Sequence, residues 1–149
     1  MSIFNNLADF TRYITAGNPN TPAPVLSRLA SDKQPYVRRR VAENPRTPQD
    51  VLFSLVADPS PDVRVGLSDN SRAPRWIIEL LAQDESPDVR YALAENPLLP
   101  PHILWQLAGD ENPYVAYRAN QTFRLAFGKE GAKPLAAARR VQRKKKVSP

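Results

Sequence analysis

Three pairs of oppositely charged residues recur along the chain with one spacing. In each pair an arginine follows an aspartate by six residues: Asp32/Arg38, Asp58/Arg64 and Asp84/Arg90. A row of guanidinium groups could bind phosphates, since a planar guanidinium donates two parallel hydrogen bonds to such an anion. The same arginines could instead pair with an aspartate of their own or a neighbouring repeat and hold the turn between helices. We favour the ion pairs, because the next unit keeps Asp110 but has Ala116, as expected where a row of pairs ends.

Residues that could support catalysis or metal binding are scarce. The chain has no cysteine and a single histidine, His102, which excludes thiolate chemistry, disulfides and cysteine-ligated metals. The equivalent positions of other repeats hold Pro24, Asp50 and Trp76, and this variation indicates an outward position for the histidine. The five glycines form no phosphate-binding loop. The sequence therefore predicts no catalytic residue, no metal site, no cofactor and no enzymatic activity.

Tyrosine and arginine side chains occupy positions that vary between repeats, and a repeat protein carries its specificity at such positions. Both residue types are enriched at the energetic centres of protein interfaces. The predicted partner-binding residues are Tyr36, Arg39, Arg40, Tyr91, Tyr114, Tyr117 and Arg118. An ordinary solvated surface is the alternative interpretation of these positions.

The positive charge of the chain is concentrated after residue 128. Residues 129–149 contain eight Lys or Arg residues against one Glu, whereas the formal net charge of the whole chain is +6. Such a cluster can bind nucleic-acid phosphates in a salt-dependent manner or an anionic membrane surface, or it can serve only to keep the protein soluble. The candidate phosphate-binding residues are Lys133, Arg139, Arg140, Arg143, Lys144, Lys145 and Lys146. We expect this segment to be a disordered tail.

The side chains described so far are positioned by an internal sequence repeat. One repeat spans the interval from Asn18 to Asn44. Asparagine recurs at this interval, and proline, leucine or isoleucine, aspartate and valine recur in the same register without a gap. The asparagine column is Asn18, Asn44, Asn70 and Asn96, and the first proline column is Pro22, Pro48, Pro74 and Pro100. The chain is therefore expected to be an array of four repeats.

Each repeat is predicted to form two short helices. Pro48 follows Thr47, a residue type that caps helices, and it is predicted to occupy the first helical position. Pro61 follows Ser60 and opens a second helix in the same way, until Asn70 ends it. Helices this short are marginal alone, so neighbouring repeats must share a core of Leu, Val and Ile side chains.

Both ends of the array are predicted to be helical caps, residues 2–16 and 114–128, around repeats at 17–119. The first cap places Ile3, Leu7, Thr11 and Ile14 on one face, and Arg12 lies in the register of the later arginines. The second helix of the fourth repeat lacks the asparagine stop, so it is expected to continue to Gly128. Its predicted inner face consists of Val115, Ala119, Phe123, Ala126 and Phe127.

The segment from Val37 to Asp58 carries the pattern Val-Arg-x-x-Val-Ala-x-Asn-Pro-x-Thr-Pro, followed by Leu52 and Leu55. This pattern resembles the leucine-rich repeat variant family, and the resemblance covers roughly residues 12–119. It implies a HEAT-like, right-handed superhelix in which α-helices alternate with 3₁₀ helices, so the second helix of each unit is either α or 3₁₀. The iron–sulfur cluster of the founding member is not carried over, because this chain has no cysteine.

The sequence thus predicts an all-α, right-handed α-solenoid over residues 1–128 that acts as a non-enzymatic scaffold for a protein or peptide partner. The alternative is a nucleic-acid-associated module that contacts phosphates through residues 129–149 and Arg38–Arg40. No apolar run approaches the length of a membrane span. The first residues also lack the character of a secretory signal, so a cytoplasmic location is expected.

Overall fold

The computed structural model describes residues 6–131, with side chains as far as Gly128. The described residues form nine α-helices: α1 (Leu7–Gly17), α2 (Ala23–Leu29), α3 (Pro35–Glu43), α4 (Gln49–Val56), α5 (Pro61–Ser68), α6 (Arg75–Leu81), α7 (Pro87–Ala94), α8 (Pro101–Ala108) and α9 (Pro113–Gly131). They come in pairs that repeat about every 26 residues. The all-α helical solenoid predicted from the sequence is confirmed, and both helices of each pair are α rather than 3₁₀.

The chain divides into two compact units, Met1–Leu81 and Ala82–Pro149. The first unit contains α1 to α6, and the second contains α7 to α9. Within the described range, no helix is both long enough and apolar enough to cross a membrane.

In the first unit, the second helices of successive repeats pack against one another: α1 contacts α3, and α3 contacts α5. Their aliphatic side chains, with those of α2, α4 and α6, are removed from water, which is the main stabilising contribution of such a core. The fully buried members include Leu26, Val37, Val41, Leu52, Val63, Leu67 and Ile77. Gly66 permits the close approach of α5, since a Cβ there would lie 2.9 Å from the main-chain oxygen of Arg39.

In the second unit, α9 packs on both α7 and α8. Val115, Ala119 and Phe123 of α9 are buried as predicted, whereas Ala126 and Phe127 are exposed. The Phe123 ring lies between Trp105 and Phe127, with centroid distances of 6.2 and 4.8 Å. The backbone departs from helical geometry at Gly128, where φ is 73°, a conformation that favours glycine.

The starts of the helices differ from the prediction in one respect. Pro48 is the residue before α4 rather than its first residue, and Thr47 does not cap that helix. Its hydroxyl donates instead to the Val41 carbonyl at 2.6 Å, near the end of the preceding helix α3. Ser60 precedes α5 as predicted, but its side chain makes no capping bond.

The apolar stripe of α1 faces outward, although such a stripe is ordinarily buried. Leu7 and Ile14 are exposed, whereas Asp9 and Ala16 are the buried residues of this helix. The reason is register, because Ala16 stands one repeat before the buried Ala42 and must occupy the same inward position. Ile3, the remaining apolar residue of the predicted stripe, lies outside the described range.

Candidate binding surface

The regular spacing of aspartate and arginine produces ion pairs between successive repeats. Arg38 donates to both carboxylate oxygens of Asp58, at 2.7 and 2.9 Å, and it also donates to the main-chain oxygen of Asp32 at 2.8 Å. The arginine thus binds the carboxylate of the following repeat and the backbone of its own. In the second unit Arg90 makes the same contacts with Asp110, at 2.7 and 3.1 Å, and with the Asp84 carbonyl, at 2.6 Å.

The ion pairs are largely shielded from solvent. The side chains of Arg38 and Asp58 are mostly removed from solvent. Burial alone would raise the pKa of Asp58, yet hydrogen bonds from Arg38 and the Ser60 N–H, together with the charges of Arg38 and Arg64, lower it below its ordinary value. The pKa of Arg38 is raised by its hydrogen bonds to Asp58. These groups are therefore held in their charged forms by each other, and the predicted ion pairs are confirmed.

A second set of contacts between repeats comes from the asparagine column. The Asn44 side-chain amide donates to the carbonyl oxygens of Ala16 and Asn18, at 2.8 and 2.9 Å. Asn70 repeats the arrangement one unit later with Ala42 and Asn44, at 2.7 and 2.9 Å. These carbonyls lie at the ends of helices, where they have no intrahelical partner.

The oxygen of each asparagine side chain is also used. It accepts the N–H of the residue two positions later, Arg46 for Asn44 and Arg72 for Asn70, both at 2.9 Å. The sequence indicated asparagine only as a helix stop and missed this role. The regular recurrence of one amide residue type along the chain was the available signal for it.

The predicted partner-binding residues of the first unit are largely engaged within that unit. Tyr36 packs edge-on against Tyr13, with ring centroids 6.3 Å apart, and Arg40 lies over the face of the Tyr13 ring at 5.1 Å. Glu43 accepts from Arg39 and from Arg40, each at 2.8 Å. Partial burial, followed by the nearby Asp9 carboxylate, raises the pKa of Tyr36. The structure brings these three candidates together on α3, each with a partner from its own unit.

The predicted residues of the second unit are more open. The exposed fractions of Tyr91, Tyr114 and Tyr117 are 38%, 74% and 65%. Tyr91 lies on α7 and the other two on α9, a helix that contacts α7. Arg118 is the exception, because its guanidinium lies 3.4 Å from Glu95. The three tyrosines form what we call the tyrosine surface.

The remaining candidates are the single histidine and the basic residues near the end of the chain. His102 is exposed at the start of α8. Among residues 6–131, no cluster of three or more histidine, aspartate or glutamate side chains is arranged to hold a metal ion. The candidate phosphate-binding residues from Lys133 to Lys146 lie outside the described residues.

One segment of the chain is similar to a known protein family. Residues 35–60, which contain α3 and α4, match the family model described as leucine rich repeat variant. No curated protein and no solved structure matches the chain. Residues 35–60 are thus similar to a leucine rich repeat variant unit, and they lie within a series of helix pairs that share one period.

Proposed function

We propose that the protein is a non-enzymatic binding scaffold that presents the tyrosine surface of α7 and α9 to a protein partner. The exposure of Tyr91, Tyr114 and Tyr117 is the observation that carries this proposal. Tyrosine gives a large contact area with few rotatable bonds, and it is among the residues that contribute most to interface affinity.

The use of the other polar residues supports the same assignment. The buried arginines and asparagines join successive repeats, so their side chains are committed to the fold. The exposed tyrosines have no comparable structural task, since the helices that carry them bury Val89, Leu93 and Val115 instead. A binding role accounts for large aromatic side chains that the fold does not require.

The phosphate-binding alternative has less support from the described residues. Arg38, Arg39 and Arg40 each have a carboxylate partner, and a phosphate would have to displace it. Among the residues of this alternative, the basic residues 129–149 are therefore the stronger candidates for a nucleic-acid contact. The test is a nucleic-acid mobility shift with a variant in which the lysines and arginines of that segment are replaced by glutamine. If this variant still shifts the nucleic acid, residues outside the segment bind it.

Affinity capture with the full chain tests the proposal. The bait is compared with the double variant Tyr91→Ala/Tyr117→Ala in about 0.3 M salt, where attraction to the basic segment is screened. We expect captured proteins to bind the double variant at least about ten-fold more weakly when they are purified and titrated.

The matched control is Leu98→Ala, which truncates a side chain that is 89% exposed in the same unit. It is expected to bind the captured proteins as well as the unmodified chain. The proposal fails if the double variant captures the same proteins with unchanged affinity, or if no protein is enriched over a bait-free resin.

A further inference from the structure

The outward face of α1 is apolar and carries no charge. Leu7 and Ile14 are 79% and 50% exposed, and they lie two helical turns apart on the same side of the helix. The two charged residues of the helix, Asp9 and Arg12, point the other way, toward Asp32 and Tyr36. Apolar surface of this kind on one side of a helix marks a place where another element packs.

The repeat register shows which kind of element fits there. Tyr36 and Arg40 stand one repeat after Phe10 and Ile14, and on α3 they face the preceding second helix, α1. There Tyr36 contacts Tyr13, and Arg40 lies over the same ring. By equivalence, the outward face of α1 is shaped to receive a second helix of a preceding repeat.

The spacing of the contacting residues is constant between repeats. Tyr13 and Tyr36 are in contact in the first unit, and Glu95 and Arg118 are in contact in the second. The two members of each pair are separated by the same number of residues. Arg40 likewise follows Tyr13 by the interval that separates Gly66 from Arg39. One packing arrangement therefore joins second helices in both units.

Helix α9 offers the complementary face. Tyr117 stands four repeats after Tyr13, and it is 65% exposed; beside it, Gln121 donates to the Tyr117 hydroxyl at 2.8 Å. No second helix follows α9 within the described residues. The side chains at the centre of this face, like those of the α1 face, are uncharged.

The ion-pair positions also match at these two faces. In the repeat register, Ala116 is equivalent to Arg38 and Arg90, the arginines that pair with an aspartate of the following repeat. Asn6 is equivalent to Asp32, an aspartate that accepts such a pair. A joint between the faces would therefore bury neither an unpaired arginine nor an unpaired aspartate at these positions, and an unpaired buried charge is costly.

We infer that the α1 face of one copy of the chain docks on the α9 face of a second copy, with Ile14 against Tyr117 and Gln121. This rests on the proposed function, since Tyr117 belongs to the tyrosine surface, and it names a second copy as one partner. Different faces meet, so association is head-to-tail, and each copy keeps one free face for a further copy wherever the contacts do not close into a ring. Each partner contributes the face of a single helix, so we expect weak association, with dissociation constants on the order of 10 μM to 1 mM.

Sedimentation equilibrium of the full chain, up to about 1 mM, tests the inference. The average mass is expected to rise with concentration past that of a dimer. Ile14→Glu and Tyr117→Glu each place a charge on one of the two faces, and each is expected to weaken association at least about ten-fold. An equimolar mixture of these two variants retains one intact face of each kind and should form dimers but nothing larger.

Leu98→Glu is the control and should associate as the unmodified chain does. The inference is overturned if the chain is monomeric throughout, if Tyr117→Glu still associates while Ile14→Glu does not, or if Leu98→Glu weakens association as strongly. The second of these outcomes would mean that two α1 faces pair with each other. A monomeric chain whose double tyrosine variant loses captured proteins would overturn the self-association and leave the proposed function intact.

Discussion

Arg38 and Arg39 are neighbours on α3 but belong to two different regions of the protein. The Arg38 side chain is only 14% exposed, and it makes bonds to Asp58 and to the backbone at Asp32. Arg39 is more than one-third exposed and pairs with Glu43 of its own helix. The same contrast separates the buried asparagines from the exposed tyrosines. The polar residues that recur from repeat to repeat join the repeats, whereas Arg39 and the three tyrosines, which stand at positions that vary, are more exposed.

The largest effect is expected from Arg38→Met, which leaves the buried Asp58 carboxylate without its bidentate partner. Removing one member of a buried pair leaves an uncompensated charge, so we expect a loss of about 3 kcal/mol in the free energy of unfolding. The measurement is urea denaturation followed by circular dichroism. Arg39→Met is the matched control on the same helix and should cost less than about 1 kcal/mol. Equal losses in the two variants would remove the distinction between them.

A smaller loss is expected from Asn70→Ala, because it removes the side-chain amide that donates to the carbonyls of Ala42 and Asn44. We expect about 2 kcal/mol from the two unmade hydrogen bonds. Asn18→Ala is the control, since Asn18 occupies the same column but is exposed, and its side chain accepts the Asn20 N–H. Chemical denaturation of both variants checks the prediction, which is wrong if Asn18→Ala is the more damaging change.

The ion pair should also make stability depend on pH. The pKa of Asp58 is lowered in the folded protein, so its contribution is present above the ordinary pKa of the carboxyl group. It is lost as the pH falls through the folded value. Urea midpoints at about pH 5.5 and about pH 3 should therefore fall less for Asp58→Asn than for the unmodified chain. A parallel fall in both proteins would argue against this contribution.

The smallest effect on stability is expected from Tyr91→Ala/Tyr117→Ala. These side chains are largely exposed, so each substitution should change the free energy of unfolding by no more than about 0.5 kcal/mol. Thermal unfolding is the measurement, and it also validates the variant for binding experiments. A loss comparable to that of Arg38→Met would show that the tyrosines belong to the fold.

The sequence was sufficient for the helices because the repeat supplied each prediction several times. Proline columns, leucine columns and asparagine stops agreed, and the helices begin and end close to the predicted positions. The position of Pro48 was wrong by one residue, since Thr47 bonds backward to Val41 rather than forward to its own helix.

The contacts between repeats were harder to predict. The acceptors for the Asn44 amide lie in the preceding repeat, at Ala16 and Asn18, and no local pattern identifies a carbonyl group as an acceptor. The choice between Asp32 and Asp58 for Arg38 was left open because both lie within reach of a long side chain. In the structure the carboxylate partner is Asp58, and Asp32 contributes only its main-chain oxygen. The orientation of α1 was predictable from the register of Ala16 and Ala42, but only the apolar stripe was identified from the sequence, without a prediction of which way it faces.

The central claim is that a buried ion pair joins one repeat to the next. A double-mutant cycle with Arg38→Met, Asp58→Asn and the combined variant measures this directly as a coupling free energy from urea denaturation. The account predicts a favourable coupling of about 2 kcal/mol between these two side chains of successive repeats. A coupling near zero would contradict it, because the two side chains would then stabilise the protein independently.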